Sequence, residues 1–184
     1  MNPTPFFKPQ TLPDLKLTRA VEADSRCAPI QTLLKGDCRP LWERSTLSVP
    51  HIPFLPAMEI CLRSLLARKQ AERGLEHIDH LLANEQKGLS ALREKQGAQP
   101  SHRVSRLLIL ANDGSERFYR DCERTLLRNS DRLLVLRLDE PSTRLAEVLL
   151  GSGDKPLKAL LVSDRDAVSA VLFALLDSAS DRTG

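Results

Sequence analysis

A chain of 184 residues is long enough for one domain of ordinary size with some residues to spare. Hydrophobic residues make up 41% and charged residues 28%, a soluble globular balance; aromatics are only 4%, so the core must come from Leu, Val, Ile and Ala. The net charge of +3 permits a polyanionic partner but lacks the cationic bias of a dedicated nucleic-acid binder.

No apolar run reaches the length of a membrane span. The start, MNPTPFFKPQTLPD, has no apolar stretch of the kind a secretory signal needs. Cys27, Cys38, Cys61 and Cys122 are scattered, without CxxC or a matching histidine pattern. These features together predict a cytoplasmic protein with reduced thiols and no membrane partner.

Proline marks the first stretch. Nine of the 12 prolines lie in residues 1–56, a density that excludes long helices because proline lacks an N–H and clashes with the preceding turn. A short helix is expected after Pro29, closed by Gly36. Residues 48–56 (SVPHIPFLP) read as extended and carry Ile52, Phe54 and Leu55, apolar side chains suited to docking on this domain or on another protein. From Met58 to about Lys95 the pattern turns helical. Leu75, Ile78, Leu82, Glu85, Leu89 and Leu92 keep one stripe on one face, as one long helix or as two broken near Asn84–Gly88.

The third stretch alternates strand and helix three times. Apolar runs at Val104–Ala111, Leu133–Leu138 and Lys158–Val162 have the continuity of strands covered on both faces. Helices are expected from Ser115 or Glu116 to Asn129, over Pro141–Leu150 and over Asp164–Leu176. The predicted fold is α/β, a three-layer α/β/α sandwich with a small, mostly parallel sheet, preceded by a helical segment and a proline-rich N-terminal arm. The corresponding divisions are an extended arm over 1–56, a helical segment over 57–98 and an α/β domain over 99–184, with 57–184 also readable as one unit.

Motifs for catalysis are few. Asp113, Asp139, Asp164 and Asp166 fall at strand ends, where three carboxylates could hold Mg²⁺; each also precedes a helix, where acids cap free N–H groups. The capping reading is taken, so no metal, cofactor or catalytic residue is assigned. Gly151–Lys155 lacks phosphate-loop spacing and follows a helix rather than a strand. His77 and His80, three residues apart, have no further ligand set and read as a solvated face. Cys122 lies on the apolar face of its helix with Phe118 and Leu126.

Charge is more informative. Within the helix after Ser115, Arg117, Arg120, Arg124 and Arg128 gather within about 80° opposite Phe118, Tyr119, Cys122 and Leu126. Four guanidiniums on one stripe form a plausible contact surface for phosphates.

LLILANDGSERFYRDCE (107–123) resembles the strand–turn–helix of the kink-turn RNA-binding ribosomal protein superfamily. RLAEVLLG (144–151) is similar to its Leu-Gly-rich helix, KALLVSD (158–164) to its last central strand, and KGLSALREKQG (87–97) stands where the family has its RNA-contacting helix. The resemblance runs from about residue 75 to 176, through short apolar motifs. It implies RNA binding, with Gly88 at a family RNA-site position. The polar pair expected after that glycine is replaced by Leu89, Ser90 and Ala91, and the family's apolar loop by Ser152, Gly153 and Asp154. The expected function is a non-enzymatic RNA- or ribonucleoprotein-associated module using Lys87, Gly88, Arg93, Lys95, Arg117, Arg120, Arg124 and Arg128. The alternative is an interaction subunit that binds another protein through the arm or the Leu75–Leu92 stripe. A small metal-dependent phosphotransfer or signalling domain stands third.

Overall fold

The three apolar runs form adjacent strands: β5 (Arg106–Leu110), β6 (Leu133–Leu138) and β7 (Ala159–Val162). The structure, a computed structural model, describes residues 10–11 and 15–177 apart from 98 and 100, with 10, 11 and 177 as backbone. The start of the proline-rich stretch therefore lies largely outside the described residues.

β5 pairs with β6 in parallel, Leu108 opposite Val135, as a strand–helix–strand connection through α5 (Glu116–Arg128) requires. β7 runs antiparallel to β5, Leu108 opposite Leu161, so the sheet is mixed rather than mostly parallel. The cause lies after α6 (Ser142–Leu150). Gly151 adopts a left-handed φ of 76°, which glycine reaches without steric cost, and the chain doubles back along the helix. The Leu157 N–H then donates to the Ser142 carbonyl at 2.9 Å. This return delivers β7 to the end of the sheet at which β6 finished, where the Ala111 N–H donates to the Lys158 carbonyl at 3.0 Å. From that end β7 can only run the opposite way.

Other strands come from the earlier stretches. β3 (Leu47–Ile52) pairs with β6 in parallel, His51 opposite Arg137, and itself carries β1 (Gln10–Thr11) and β2 (Cys38–Pro40). β4 (Ala71–Arg73) closes the other edge on β7, giving the order β1-β3-β6-β5-β7-β4 with β2 on β3. The extended segment expected at 48–56 thus begins as a strand, with Ile52 buried and Phe54 packed on the core. α3 (Pro56–Ala67) starts on its proline, and α4 (Leu75–Gln96) passes through Gly88 as one continuous helix.

Side chains alternate across the sheet and build two cores. Leu107, Ile109, Leu134, Leu136, Leu160 and Val162 face α1 (Arg19–Glu22), α2 (Cys27–Gly36), α3, α6 and α7 (Arg165–Asp177). Leu108, Leu110, Leu133, Val135 and Leu161 face α4 and α5. Helices on both faces make the three-layer sandwich. None of the helices among the described residues is long and apolar enough to cross a membrane.

Candidate interaction face between two helices

α5 takes its position from the turn before it. Ser115 Oγ accepts from the Phe118 N–H at 3.2 Å and caps the first turn. Gly114 is required there: a Cβ would stand 2.5 Å from Phe118 and 2.8 Å from Tyr119. The Tyr119 hydroxyl closes the turn, donating to the Ala111 carbonyl at 2.6 Å and accepting from the Gly114 N–H at 3.0 Å. With Tyr119, Cys122 and Leu126 buried, the opposite side of α5 faces outward beside α4.

α4 is anchored twice. Its first half buries Ile78 and Leu82; its middle is held by Glu85. The Glu85 carboxylate accepts from Arg106 Nη2 at 3.0 Å and from Arg132 Nη1 at 2.6 Å. Arg132, only 5% exposed, also donates to the Leu82 carbonyl and to Asn129 Oδ1. Burial pushes the Glu85 carboxyl upward, but the hydrogen bonds from the two guanidiniums outweigh it and hold its pKa below the ordinary value. The acid in the Leu75–Leu92 stripe is therefore the helix's tie to the sheet. Glu123 serves α5 in the same way, accepting from Trp42 Nε1 at 2.6 Å, Ser45 Oγ at 2.9 Å and the Thr46 N–H at 3.1 Å. It fastens the 41–46 segment to the helix.

The arginine stripe divides. Arg120 pairs with Glu116 at 3.5 Å and lies over the Trp42 ring at 5.6 Å. Arg124 pairs with Asp121, and Arg128 with Asp79 at 3.2 Å, a carboxylate that also accepts from Thr125 Oγ1 at 2.8 Å. Arg117 forms no ion pair among the described residues. Arg117, Arg124 and Arg128 line one wall of a groove of about 480 Å³ between α4 and α5, across from Glu76 and Asp79 and over Leu75 and Phe118. Lys87 lines an adjoining hollow that shares Arg128. Of the other residues expected to contact RNA, Arg93 is tied to Asp131 at 2.9 Å, Lys95 lies in the last turn of α4, and Gly88 sits well inside the helix with open space around its Cα.

The acids at the strand ends have specific partners. Asp113 accepts from the Ser142 N–H and Oγ at 2.9 and 2.8 Å, capping α6 across the turn rather than its own helix. Asp164 caps α7 through the Asp166 and Ala167 N–H groups, both at 3.0 Å. Asp139 accepts from Asn112 Nδ2 at 3.2 Å. Nearby, Arg137 donates to the Asn112 and Leu41 carbonyls at 2.9 and 3.3 Å and stacks on Tyr119 at 4.6 Å. Burial first, and then the charges of Arg137 and Arg39, push the neighbouring His51 imidazole below its ordinary pKa.

His77 pairs with Glu72 and His80 with Asn84, so the two rings have separate partners. Among the described residues no group of three or more His, Cys, Asp or Glu side chains is placed to hold a metal ion. Burial raises the Cys122 thiol to about 12, which keeps it protonated in the core. Sequence reasoning missed Glu85, Glu123 and Arg137 as organising residues. A charge at an apolar-stripe position was the one signal available for Glu85.

Comparison with protein-family models and with curated proteins returns no match.

Proposed function

We propose that the protein is a non-enzymatic interaction subunit whose α4–α5 groove receives a segment of a partner protein. The observation that carries this reading is the make-up of the groove. Leu75 and Phe118 give it an apolar floor, and Glu76, Asp79 and Asp121 balance Arg117, Arg124 and Arg128 at its rim. An apolar centre within a polar rim is the anatomy of a protein interface; a track for phosphates would carry an excess of positive charge. Leu92 and Leu127, 52% and 49% exposed, add apolar surface on the same two helices. Free thiols at all four cysteines fit a reducing cytoplasm.

RNA binding is the second reading. Arg117, Lys87 and Lys95, without ion pairs among the described residues, support it, as does the resemblance of residues 107–123 to the kink-turn family. One experiment separates the two: co-purification of the tagged protein from its own cells, before and after nuclease, with the parent and with the double variant Arg117→Glu, Glu76→Lys. The interaction reading expects a partner that survives nuclease and is lost from the variant. A partner released by nuclease alone would replace that reading with the RNA one.

A further inference from the structure

On the opposite side of the sheet from that groove, a second concave site has a different charge balance. The start of α1, the 101–105 approach to β5 and the first turn of α7 enclose a hollow of about 430 Å³. Arg19, Arg103 and Arg165 line it, and Asp166 is its one acidic wall residue. Arg19 and Arg165 have no carboxylate partner among the described residues, whereas Arg103 is anchored by the Leu17 carbonyl and by Glu22.

The frame around these guanidiniums is fixed. Ser169 Oγ donates to the Arg165 carbonyl at 3.0 Å and so accepts from Thr18 Oγ1, 2.7 Å away, a buried bond that ties α1 to α7. Lys16 and Arg103 form a backbone bridge: the Val104 N–H donates to the Lys16 carbonyl at 2.8 Å, and the Lys16 N–H to the His102 carbonyl at 3.1 Å. His102 holds a left-handed φ of 43° between two residues of the hollow, a conformation that costs energy outside glycine and is met at binding sites. Ser101 and Ser105 also line the hollow, and their hydroxyls make no side-chain hydrogen bond among the described residues.

We propose that this hollow is a binding site for a phosphomonoester dianion, held by Arg19, Arg103 and Arg165 with Ser101 and Ser105 as neutral donors. Arg19 and Arg165, without carboxylate partners among the described residues, bring two positive charges to a dianion, while Arg103, already paired with Glu22, adds guanidinium N–H donors; against Asp166 the net surplus is one positive charge. Planar guanidiniums and hydroxyls suit the three terminal oxygens of a monoester. The backbone diester of a nucleic acid carries one charge and must run past the site, whereas the walls of α1 and α7 close this one on two sides.

The test is a thermal-shift and calorimetric titration of the full chain with inorganic phosphate, glycerol phosphate and dimethyl phosphate, each against chloride at equal ionic strength. Saturable binding of the first two and none of the diester is expected. Arg19→Gln with Arg165→Gln, both exposed positions, should weaken glycerol phosphate roughly ten- to hundredfold. Asp166→Asn, which removes the opposing charge, should tighten it. A 5′-phosphorylated oligonucleotide and its unphosphorylated form extend the test to a nucleic-acid end, and tighter binding of the phosphorylated form identifies that source of the same group. Absence of phosphate binding above the chloride control, binding unchanged in the double arginine variant, or equal binding of the diester would overturn the proposal.

Discussion

Arginines and acids meet in two places on the α4–α5 side of the sheet, and burial separates their meanings. Under α4, Arg106 and Arg132 converge on Glu85, with the Arg132 side chain 6% exposed. On the outer side of α5, Arg120 and Arg124 pair with acids of their own helix while more than half exposed. Charges taken out of water must be compensated by partners of good geometry, and removing one partner leaves a costly orphan. Exposed pairs are solvated with or without each other and contribute little. The first group can therefore fix structure, and the second is free to exchange its present partners for those of another molecule.

The largest expected effect falls on the buried group. Glu85→Gln leaves two guanidiniums without a countercharge and should cost about 3 kcal/mol in chemical denaturation. A loss below 1 kcal/mol would erase the contrast between the two places. Acid sharpens the same test. The pKa of Glu85 is lower in the folded than in the unfolded chain, so its stabilisation is complete above the ordinary value of 4.5 and is lost as pH falls through the lowered folded value. The Gln variant should lose that part of the acid dependence, which a comparison of unfolding midpoints from pH 6 to pH 3 would show.

An intermediate effect is expected at Glu123, which is 9% exposed and fastens the 41–46 segment. Glu123→Ala removes the acceptor of several hydrogen bonds and should cost about 2 kcal/mol. The chain has a single tryptophan, Trp42, so a red shift of its emission would report the segment's release directly. An unchanged spectrum would show that apolar packing of Trp42, rather than Glu123, holds the loop.

The smallest effect belongs to the exposed stripe. Changing Arg117, Arg120, Arg124 and Arg128 to Gln should alter stability by about 0.5 kcal/mol or less per site. A cooperative loss of several kcal/mol on denaturation would make the stripe part of the scaffold and remove it as an interaction surface.

Legibility in the sequence followed the range of the interactions. The continuous apolar runs at 104–111, 133–138 and 158–162 could be read as buried strands because each is a local pattern. The stop of α6 at Gly151 was equally local, whereas the cap of α5 is Ser115 and not the Asp113 that the sequence suggested. Two stretches appeared separate from the alternating region because Pro40, Pro50 and Pro53 break helices, while β-pairing of 38–40 and 47–52 depends on tertiary partners. The four arginines of α5 are all exposed, but Arg117, Arg124 and Arg128 line the α4–α5 groove while Arg120 lies over Trp42. The pairing of Arg128 with Asp79, from another helix, was not visible.

The sequence by itself determined the layered α/β class, the order of strands and helices from residue 104 onward, and the apolar faces that form the core, since periodicity and caps act within a few residues. Tertiary structure alone decided the direction of β7, because that depends on where the 151–157 return delivers the chain. It also decided which charges are buried ties and which remain exposed. A carboxylate such as Glu85 has the same local signature on either side of a helix, and only the guanidiniums brought from β5 and from the turn before β6 make it structural.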